Sequence, residues 1–395
     1  MGEQPADNQS IASSELSDKE ESPDKEELVK DLSDVRVAID AIDVQLLKLL
    51  NERAKCAEQV AVIKSRDASV AGPVFYRPER EAQIFDRLRE INTGPLANDT
   101  VERLFREVIS GCLALEVPLA IAYLGPTGTY TESAAIKQFG QFARRRALGS
   151  IDEVFREVES GAVHYGIVPV ENSTEGMVNH TLDCFVGSKL KICAEVELPI
   201  HHAFLLPKKG DTKAVKRIVS HQQSLAQCRR WLDAHFAGIE RVAVSSNAEA
   251  ARMVAEDPTL ACVAGEMAAD TYGLSIYMSS IEDEPNNVTR FLVLGDQDVG
   301  MSGQDKSSLL VSTRNEPGAL VKILEPFQRH GISLTRIETR PSKTGNWSYV
   351  FFIDFDGHAE ESRITAVLEE IGDVVMDMRL LGSYPKAVRE TVGAE

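Results

Sequence analysis

Gly166-Ile167-Val168-Pro169-Val170-Glu171-Asn172-Ser173-Thr174-Glu175-Gly176 is a stretch in which an apolar run gives way to a polar one without a spacer. Its first five residues read as the end of a buried strand, because short apolar β-branched runs bounded by turn residues suit a covered sheet. The polar residues leave that strand at its carboxyl end, and the crevice beyond such ends is where α/β sheets bind ligands. Asn172 is therefore the first candidate for a substrate contact. The plainer reading is a strand-to-helix turn in which Ser173 or Thr174 caps a helix over about Val178 to Val186.

Outward from that stretch, the chain of 395 residues is too long for one ordinary core, and roughly 100 to 200 residues per domain predicts about two to four units. A formal charge of -18 argues against nucleic acid, since backbone binding needs clustered Lys and Arg to displace counterions. Small anions can still be held locally by a few arginines. The six cysteines form no CxxC pair, which reads as a reduced, intracellular chain without a disulfide framework or zinc site. His201 and His202 are adjacent, not four apart as on a metal-binding helix, so no metal is expected. No apolar run approaches the roughly 20 residues that cross a bilayer, and no leader pattern opens the sequence. The expectation is a cytoplasmic protein with no membrane partner, no nucleic acid and no cofactor.

Residues 1 to 25 are rich in Ser, Asp, Glu and Lys, with little apolar surface to offset the entropy of ordering them, so a disordered tail is expected. From Glu27 to about Ser65 apolar residues recur in a heptad-like stripe without Gly or Pro (Leu28, Leu32, Val35, Ile39, Ile42, Leu46, Leu49, Ala57, Val60, Ile63). This is one helix about 60 Å long, which implies a partner along its length. Two shorter helices follow, one from near Pro78 and one from an Asp99 cap, with Glu102 three residues on, to about Glu116. On the long helix Arg53 and Lys64 lie about 16 Å apart and about 20° apart in azimuth, so they point the same way. Their extended side chains leave a gap suited to a small dicarboxylate. Arg36 lies about 25 Å before Arg53 and about 100° round the helix, and reaches an equivalent pocket only from another subunit. The alternative is a solvated basic face.

The run LSDVRVAIDAIDVQLLKLLNERAKCAEQVAVIK resembles the first helix of the all-helical chorismate mutases, including those fused to prephenate dehydratase. The resemblance covers about residues 30 to 116. It implies that Arg36, Arg53 and Lys64 hold chorismate's carboxylates and ether oxygen, with Arg80, Glu81 and Glu116 at substrate-contact positions. Arg77 departs from the pattern, standing where relatives often carry Asp. An intramolecular rearrangement needs no nucleophile, only a compact conformer and stabilised charge on the ether oxygen. Arg, Lys and a protonated Glu116 supply that in this reading.

A second unit starts at Leu119 with a strand, LAIAYL, then a turn, Gly125-Pro126-Thr127-Gly128-Thr129-Tyr130-Thr131, into a helix whose N-terminal amides suit an anion. There is no GK[ST] and no GxGxxG, so nucleotide binding is unsupported. Strands and helices then alternate: helix from Ile151, strands Gly166–Val170, Ile192–Val196, Ala203–Leu206 and Arg217–Ser220, helix Leu225–Phe236, strand Arg241–Val244, helix Ala248–Ala255, strands Leu260–Ala264 and Thr289–Leu294. Such alternation predicts mostly parallel α/β sheets. Four blocks, GPTGTYTESAA, PVENSTEG, SHQQSLAQC and NVTRFLVLG, together resemble the prephenate dehydratases over about residues 118 to 297. The resemblance implies a two-lobed α/β fold like the periplasmic binding proteins. It carries catalysis to Thr289 and substrate contacts to Asn172, Ser220, Gln223, Gln227 and Arg290. Gln222 and Ser224 depart from the usual form of the third block. The implied reaction expels carbon dioxide and the ring hydroxide from prephenate, driven by aromatisation. Arg290 or helix N-termini would hold the side-chain carboxylate, and Thr289 would donate a hydrogen bond to the leaving hydroxyl.

After a Gly-, Ser- and Asp-rich link, SSLLVSTRNEPGALVKILEPF, IETRP and a strand at Tyr349 to Phe355 resemble an ACT regulatory domain, an α+β ferredoxin-like fold of the kind that binds phenylalanine. Thr339 stands where that family usually has Ser. The implied effector contacts are Asn315, Gly318, Ala319, Leu320, Glu338, Arg340 and Pro341, where Gly318 and Ala319 allow close backbone approach. The expected organisation is a tail (1–25), a mutase domain (26–117), a dehydratase domain (118–297) and an ACT domain (305–385). The expected partners are chorismate and prephenate as substrates, phenylalanine as allosteric inhibitor, and further copies of the chain in a homodimer or larger homo-oligomer. The rival reading is a non-enzymatic amino-acid-sensing regulator, but a DNA reader should show short helices and a basic face.

Overall fold

The computed structural model describes residues 31–66, 76–314, 316–341 and 349–387. The expected tail and Asn315 lie outside the described residues. Helix α1 (Leu32–Arg66) contains neither Gly nor Pro, and its ends complement the helix dipole, with Asp34 in the first turn and Lys64 and Arg66 in the last. The chain divides into two units within it, the first ending at Glu52 and the second beginning at Arg53. In the first unit Leu32, Val37, Ile39, Ile42, Leu46 and Leu49 are all exposed.

In the second unit, α2 (Pro78–Ile91) opens on proline, which is pre-set for a first helical turn and has no N–H to lose. Helix α3 (Asn98–Glu116) has Ala97 as its N-cap and no side-chain cap, so Asp99 lies inside the first turn and not at the expected cap. Arg106 of α3 stacks over the buried Phe85 ring of α2, 4.6 Å from its centroid. Arg89 bonds Asp86 at 2.6 Å and Glu102 at 2.5 Å.

A first lobe holds β1 (Ala120–Leu124), β2 (Arg144–Leu148), β3 (Tyr165–Asn172), β4 (Gly176–Met177) and β5 (Lys191–Pro199), with α4 (Tyr130–Phe139), α5 (Ile151–Glu159) and α6 (Asn179–Gly187). A second lobe holds β6 (Ala203–Leu206), β7 (Arg217–His221), β8 (Glu240–Val244), β9 (Leu260–Ala264) and β10 (Ser275–Met278). Its helices are α7 (Gln222–Gln227), α8 (Arg229–His235), α9 (Asn247–Glu256) and α10 (Glu266–Tyr272). The single helix expected over Leu225–Phe236 is two, because Cys228 leaves helical geometry at φ -110, ψ 18. Strand β11 (Val288–Gly295) then returns to the first sheet, whose order is β2-β1-β3-β11-β5, with β4 on β3; the second sheet runs β10-β6-β9-β7-β8.

These sheets are mixed, not mostly parallel. β11 runs antiparallel to both β3 and β5, and β6 runs antiparallel to both β9 and β10. The alternating pattern reports helices between strands, while the strands that carry the chain between lobes enter their sheets from the opposite direction.

The C-terminal unit is β12 (Asp305–Thr313), α11 (Ala319–Arg329), β13 (Leu334–Pro341), β14 (Tyr349–Asp356), α12 (Ser362–Gly372) and β15 (Asp377–Pro385), in an antiparallel sheet ordered β13-β14-β12-β15. Alternation along β14 divides its two faces. Phe351, Ile353 and Phe355 pack with Ile323 and Phe327 of α11 and with Ile364 and Val367 of α12. Val350 and Phe352 join Leu310, Leu381 and Tyr384 in the core of the first lobe, with Leu182, Phe185 and Leu292. At Gly382 a Cβ would stand 2.2 Å from the Ile192 carbonyl oxygen, so β15 approaches β5 where no side chain fits.

Candidate functional site

A cleft of about 700 Å³ opens between the lobes, lined from the first by Gly125, Pro126, Gly128 to Thr131, Pro169, Thr289 and Phe291, and from the second by His221, Ser245, Ser246, Asn247 and Gly265. Two helices begin at it. Thr129 caps α4, its hydroxyl accepting from the Glu132 N–H, and Ser246 caps α9 by accepting from the Glu249 N–H. Gly128 sits at φ +87, and a Cβ there would meet the Tyr272 ring at 3.2 Å, so the turn into α4 needs glycine. No Lys or Arg lines this cleft among the described residues. An anion would be met by helix N-terminal amides and hydroxyls.

Thr289 and Asn172 face each other across β11 and β3. Asn172 Nδ2 donates to Thr289 Oγ1 at 2.8 Å and to Asn287 Oδ1 at 2.8 Å. Its Oδ1 accepts from the Thr174 N–H and hydroxyl and from the Glu175 N–H. Asn172 thus holds the turn after β3 and fills an acceptor site on Thr289, leaving the threonine proton for another partner. Neither Ser173 nor Thr174 caps α6, whose N-cap is Val178. A β-bulge brings the pair together: Arg290 is opposite Glu171 but Phe291 is opposite Pro169, so Val170 is extra. Before the bulge Ile167 and Pro169 face the cleft side and Val168 the opposite core. Unbroken alternation would send Glu171 to the cleft and Asn172 away from it; the extra residue reverses them.

The other expected dehydratase residues divide. Gln227 Nε2 donates to Thr174 Oγ1 at 3.0 Å, and its Oε1 takes Asn287 Nδ2 at 3.4 Å, so it belongs to the same network. Gln227 Oε1 also lies 2.8 Å from His202 Nε2, and His202 Nδ1 lies 2.8 Å from the Tyr130 hydroxyl of α4. Burial holds His202 below the ordinary imidazole range, so one ring nitrogen can donate to Gln227, while the Tyr130 hydroxyl lies between the other ring nitrogen and the His201 carbonyl, to which it also donates at 2.8 Å. The network therefore links both lobes. Ser220 is fully buried, its hydroxyl 2.6 Å from the Val263 carbonyl oxygen and 2.9 Å from Asn247 Oδ1, so it supports a cleft residue and does not face the cleft. Ser224, one of the two departures in its block, accepts from Asn247 Nδ2 at 2.8 Å and thereby helps fix the same side chain. Gln223 is half-buried on α7 and does not line the cleft.

Arg290 does not join the cleft either. It is 6% exposed and donates to Glu195 Oε2 at 2.7 Å, Asp354 Oδ2 at 2.7 Å and the Tyr384 hydroxyl at 3.0 Å, all on the face of β11 opposite Thr289. Burial alone would lower its pKa, but Tyr384, Asp354 and Glu195 outweigh that and raise it. Thr289 and Arg290 are strand neighbours, so alternation forbids both from lining one cleft.

His202, Asn247 and Asn287 are the residues that motif reading missed. Asn287 carries a legible signal, two residues before Thr289 and so on its face of the strand; Asn247 follows the Ser246 cap of α9. Adjacent histidines considered only as metal ligands concealed His202.

In the helical region Lys64 Nζ stands 3.5 Å from Glu116 Oε2, bringing together the end of α1 and the end of α3. That oxygen is buried without a hydrogen-bond partner among the described residues. Arg53 is half-buried, Arg80 exposed and Arg36 exposed. Glu81 is not brought to Lys64 and Glu116. Its carboxylate pairs with Arg106, ten residues before Glu116 and so about 15 Å away along α3. Burial raises the Glu81 pKa and Arg106 only partly offsets this. Arg77 lies 4.0 Å from Glu79.

Of the expected effector contacts, Gly318 adopts φ 82 as the N-cap of α11, with open space where a Cβ would stand. Thr313, Tyr349 and Pro341 are in register, so the turn into α11 and the end of β13 share one end of the sheet, with β14 between them. Glu338 is half-buried. Arg340 is already engaged, donating to Asp183 of α6 at 3.0 and 2.8 Å, so it anchors the unit to the first lobe.

Residues 35–117 match the chorismate mutase type II family, residues 121–299 the prephenate dehydratase family and residues 307–373 the ACT domain. A bifunctional chorismate mutase/prephenate dehydratase of Pseudomonas aeruginosa is 55% identical over 358 residues, spanning 90% of this chain and 98% of that one. One from Neisseria gonorrhoeae is 49% identical over 355 residues, spanning 89% and 96%. Among solved structures, a prephenate dehydratase from Arthrobacter aurescens in complex with L-Phe superposes with a TM-score of 0.64 at 34% identity, covering 68% of this chain and 90% of that one.

Proposed function

Since the chain belongs to the family of bifunctional chorismate mutase/prephenate dehydratases and carries an ACT domain, we propose that its two activities and their control are held by separate sets of residues. The enzyme rearranges chorismate to prephenate, then removes carbon dioxide and water from prephenate to give phenylpyruvate, under feedback by phenylalanine. We assign the rearrangement to Arg53, Lys64, Arg80 and Glu116, with Arg36 contributed by a second copy of the chain. The apolar face exposed along α1 supports a homodimer, which would cover it. In this reading the units run 26–117, 118–297 and 305–385, the two-lobed dehydratase resembles periplasmic binding proteins, and the ACT unit is ferredoxin-like. We place the protein in the cytoplasm; no described helix is long and apolar enough to cross a membrane.

The observation that carries the dehydratase assignment is the hydrogen bond from Asn172 to Thr289 inside a cleft where two capped helices begin. The α4 and α9 N-termini take the carboxylates, replacing the role first considered for Arg290. Thr289, its acceptor site filled by Asn172, donates its proton as a hydrogen bond to the departing ring hydroxyl. Threonine is too weak an acid to release a proton outright, so it acts by position, stabilising the charge that develops on oxygen. The network through Asn287, Gln227 and His202 holds that position across both lobes.

Phenylalanine in this reading binds at Gly318, Ala319 and Leu320 with Glu338 and Pro341, its carboxylate on the α11 amides, where ACT units of two copies meet. Purified protein supplied with chorismate should consume it, pass through prephenate and accumulate phenylpyruvate, with phenylalanine slowing only the second step. Failure of either conversion overturns the assignment.

A further inference from the structure

The strand pair β3–β11 carries the reaction on one face and the ACT unit on the other, at the same four residues. Thr289 is paired with Asn172, and Arg290 with Glu171. The first pair faces the cleft. Behind it, Glu171 is ion-paired with Arg336 of β13 and Arg290 with Asp354 of β14. Arg336 and Asp354 are themselves opposite each other across β13 and β14. Two neighbouring residues of one ladder thus grip two neighbouring residues of the other, charge to charge.

We propose that Glu171 and Arg290 are positioning residues for the dehydration, and that this quartet is the route by which the ACT unit sets the placement of Asn172 and Thr289. The proposal rests on the dehydratase and phenylalanine assignments above and names the contact that joins them.

Three features favour a positioning role over simple attachment. The apolar contact of Leu310, Val350 and Phe352 with Leu182, Phe185 and Leu292 already joins the unit to the lobe, and neither the buried Arg290–Asp354 pair nor the half-buried Glu171–Arg336 pair adds much net stability beyond such surface. The bulge at Val170 interrupts the ladder next to the quartet, so the backbone there is less constrained than along the rest of β3. Arg336 Nη1 is buried without a hydrogen-bond partner among the described residues, so its guanidinium has a donor unused in this arrangement. A planar peptide links each gripped residue to its reacting neighbour, so a pull on one side chain is delivered to the other.

The test uses the full-length enzyme in a double-mutant cycle: Glu171→Gln, Arg336→Gln, both together, and the exchanged pair Glu171→Arg with Arg336→Glu. A displacement of under 1 Å should lower dehydratase kcat about ten-fold in each single variant with KM within about two-fold. The double variant should be no slower than the singles, and the exchanged pair should recover at least about half of the lost factor. Phenylalanine should still bind by calorimetry but inhibit weakly, mutase turnover should stay normal, and a near-native thermal midpoint is the check on folding. Effects that multiply in the double variant, or wild-type kcat and inhibition in the singles, overturn the proposal. Should a Gln variant fail the folding check, the isosteric Asp354→Asn reads the other arm, with the same pattern expected and wild-type kinetics overturning it. If the unmodified enzyme neither binds nor responds to phenylalanine, the regulatory assignment falls, while the kcat cycle still decides the positioning role.

Discussion

Replacing Thr289 by valine removes one hydroxyl and keeps the β-branched shape that suits its place in β11. Two effects follow, and the structure separates them. The first is loss of the donor aimed at the departing hydroxyl, on the order of 10²- to 10³-fold in turnover for one preorganised transition-state donor, or about 3 to 4 kcal/mol. The second is loss of the acceptor that Asn172 Nδ2 uses at 2.8 Å. An orphaned buried donor costs about 1 to 3 kcal/mol of stability, and the lower end applies because Asn172 is half-buried and its other Nδ2 bond to Asn287 remains. Thr289→Ser keeps both functions and should stay within about ten-fold of the native rate, its extra rotamer freedom being the main loss. The assay is phenylpyruvate formation from saturating prephenate, with mutase turnover on the same preparation and thermal midpoints for both variants. A valine variant of near-native midpoint that retains more than about a tenth of dehydratase turnover refutes the role given to the hydroxyl.

Mixing Arg36→Ala with Arg53→Ala protein under conditions that exchange subunits should restore part of the mutase activity that each has lost; none recovered despite demonstrated exchange removes the shared-site reading. Gly318→Val should abolish calorimetric phenylalanine binding and inhibition together, because φ 82 is closed to a β-branched residue, while leaving uninhibited dehydratase turnover near normal; undiminished inhibition places the effector elsewhere. Burial pushes the Glu195 and Asp354 carboxyls up, but Arg290 first, with Lys306 at Glu195 and Ser308 at Asp354, holds both below their ordinary values of 4.5 and 3.8. Their folded pKa values lie below the unfolded ones, so the stabilisation is present above about pH 4.5 and is lost as pH falls further. Acid titration should loosen the contact between ACT unit and lobe in that window, and Asp354→Asn should flatten the dependence; an unchanged profile excludes this pair as its source.

Much of the architecture was legible because it rests on local periodicity. The unbroken stripe of α1 and the apolar runs of β3 and β11 each report a local preference that the packing leaves intact. What was not legible depends on residues distant in sequence. The single helix expected over Leu225–Phe236 broke at Cys228, where the next residues turn to meet the segment before β11: the Asp283 N–H donates to the Gln227 carbonyl and the Arg230 N–H to the Asp283 carboxylate. No local pattern announces those partners. The resemblance of the block NVTRFLVLG carries both Thr289 and Arg290 to the substrate, although strand alternation already separates adjacent side chains. The carboxylates that claim it lie 95 residues before it and 64 after it.

The bulge at Val170 shows why alternation alone does not finish the argument. Counting by twos from Ile167 through Pro169 puts Glu171 in the cleft and Asn172 in the interface with the ACT unit, the reverse of what the ladder does. An acidic side chain in that cleft would repel a dicarboxylate substrate, and an asparagine behind it would leave Arg336 without its ionic partner. One extra residue corrects both faces at once. It does so between a proline, which cannot donate to the ladder, and a run of polar residues that supplies its own hydrogen bonds through Asn172 Oδ1. The composition around position 170 therefore permits a bulge, but only the opposing strand, Val288–Gly295, far along the chain, determines that one is made.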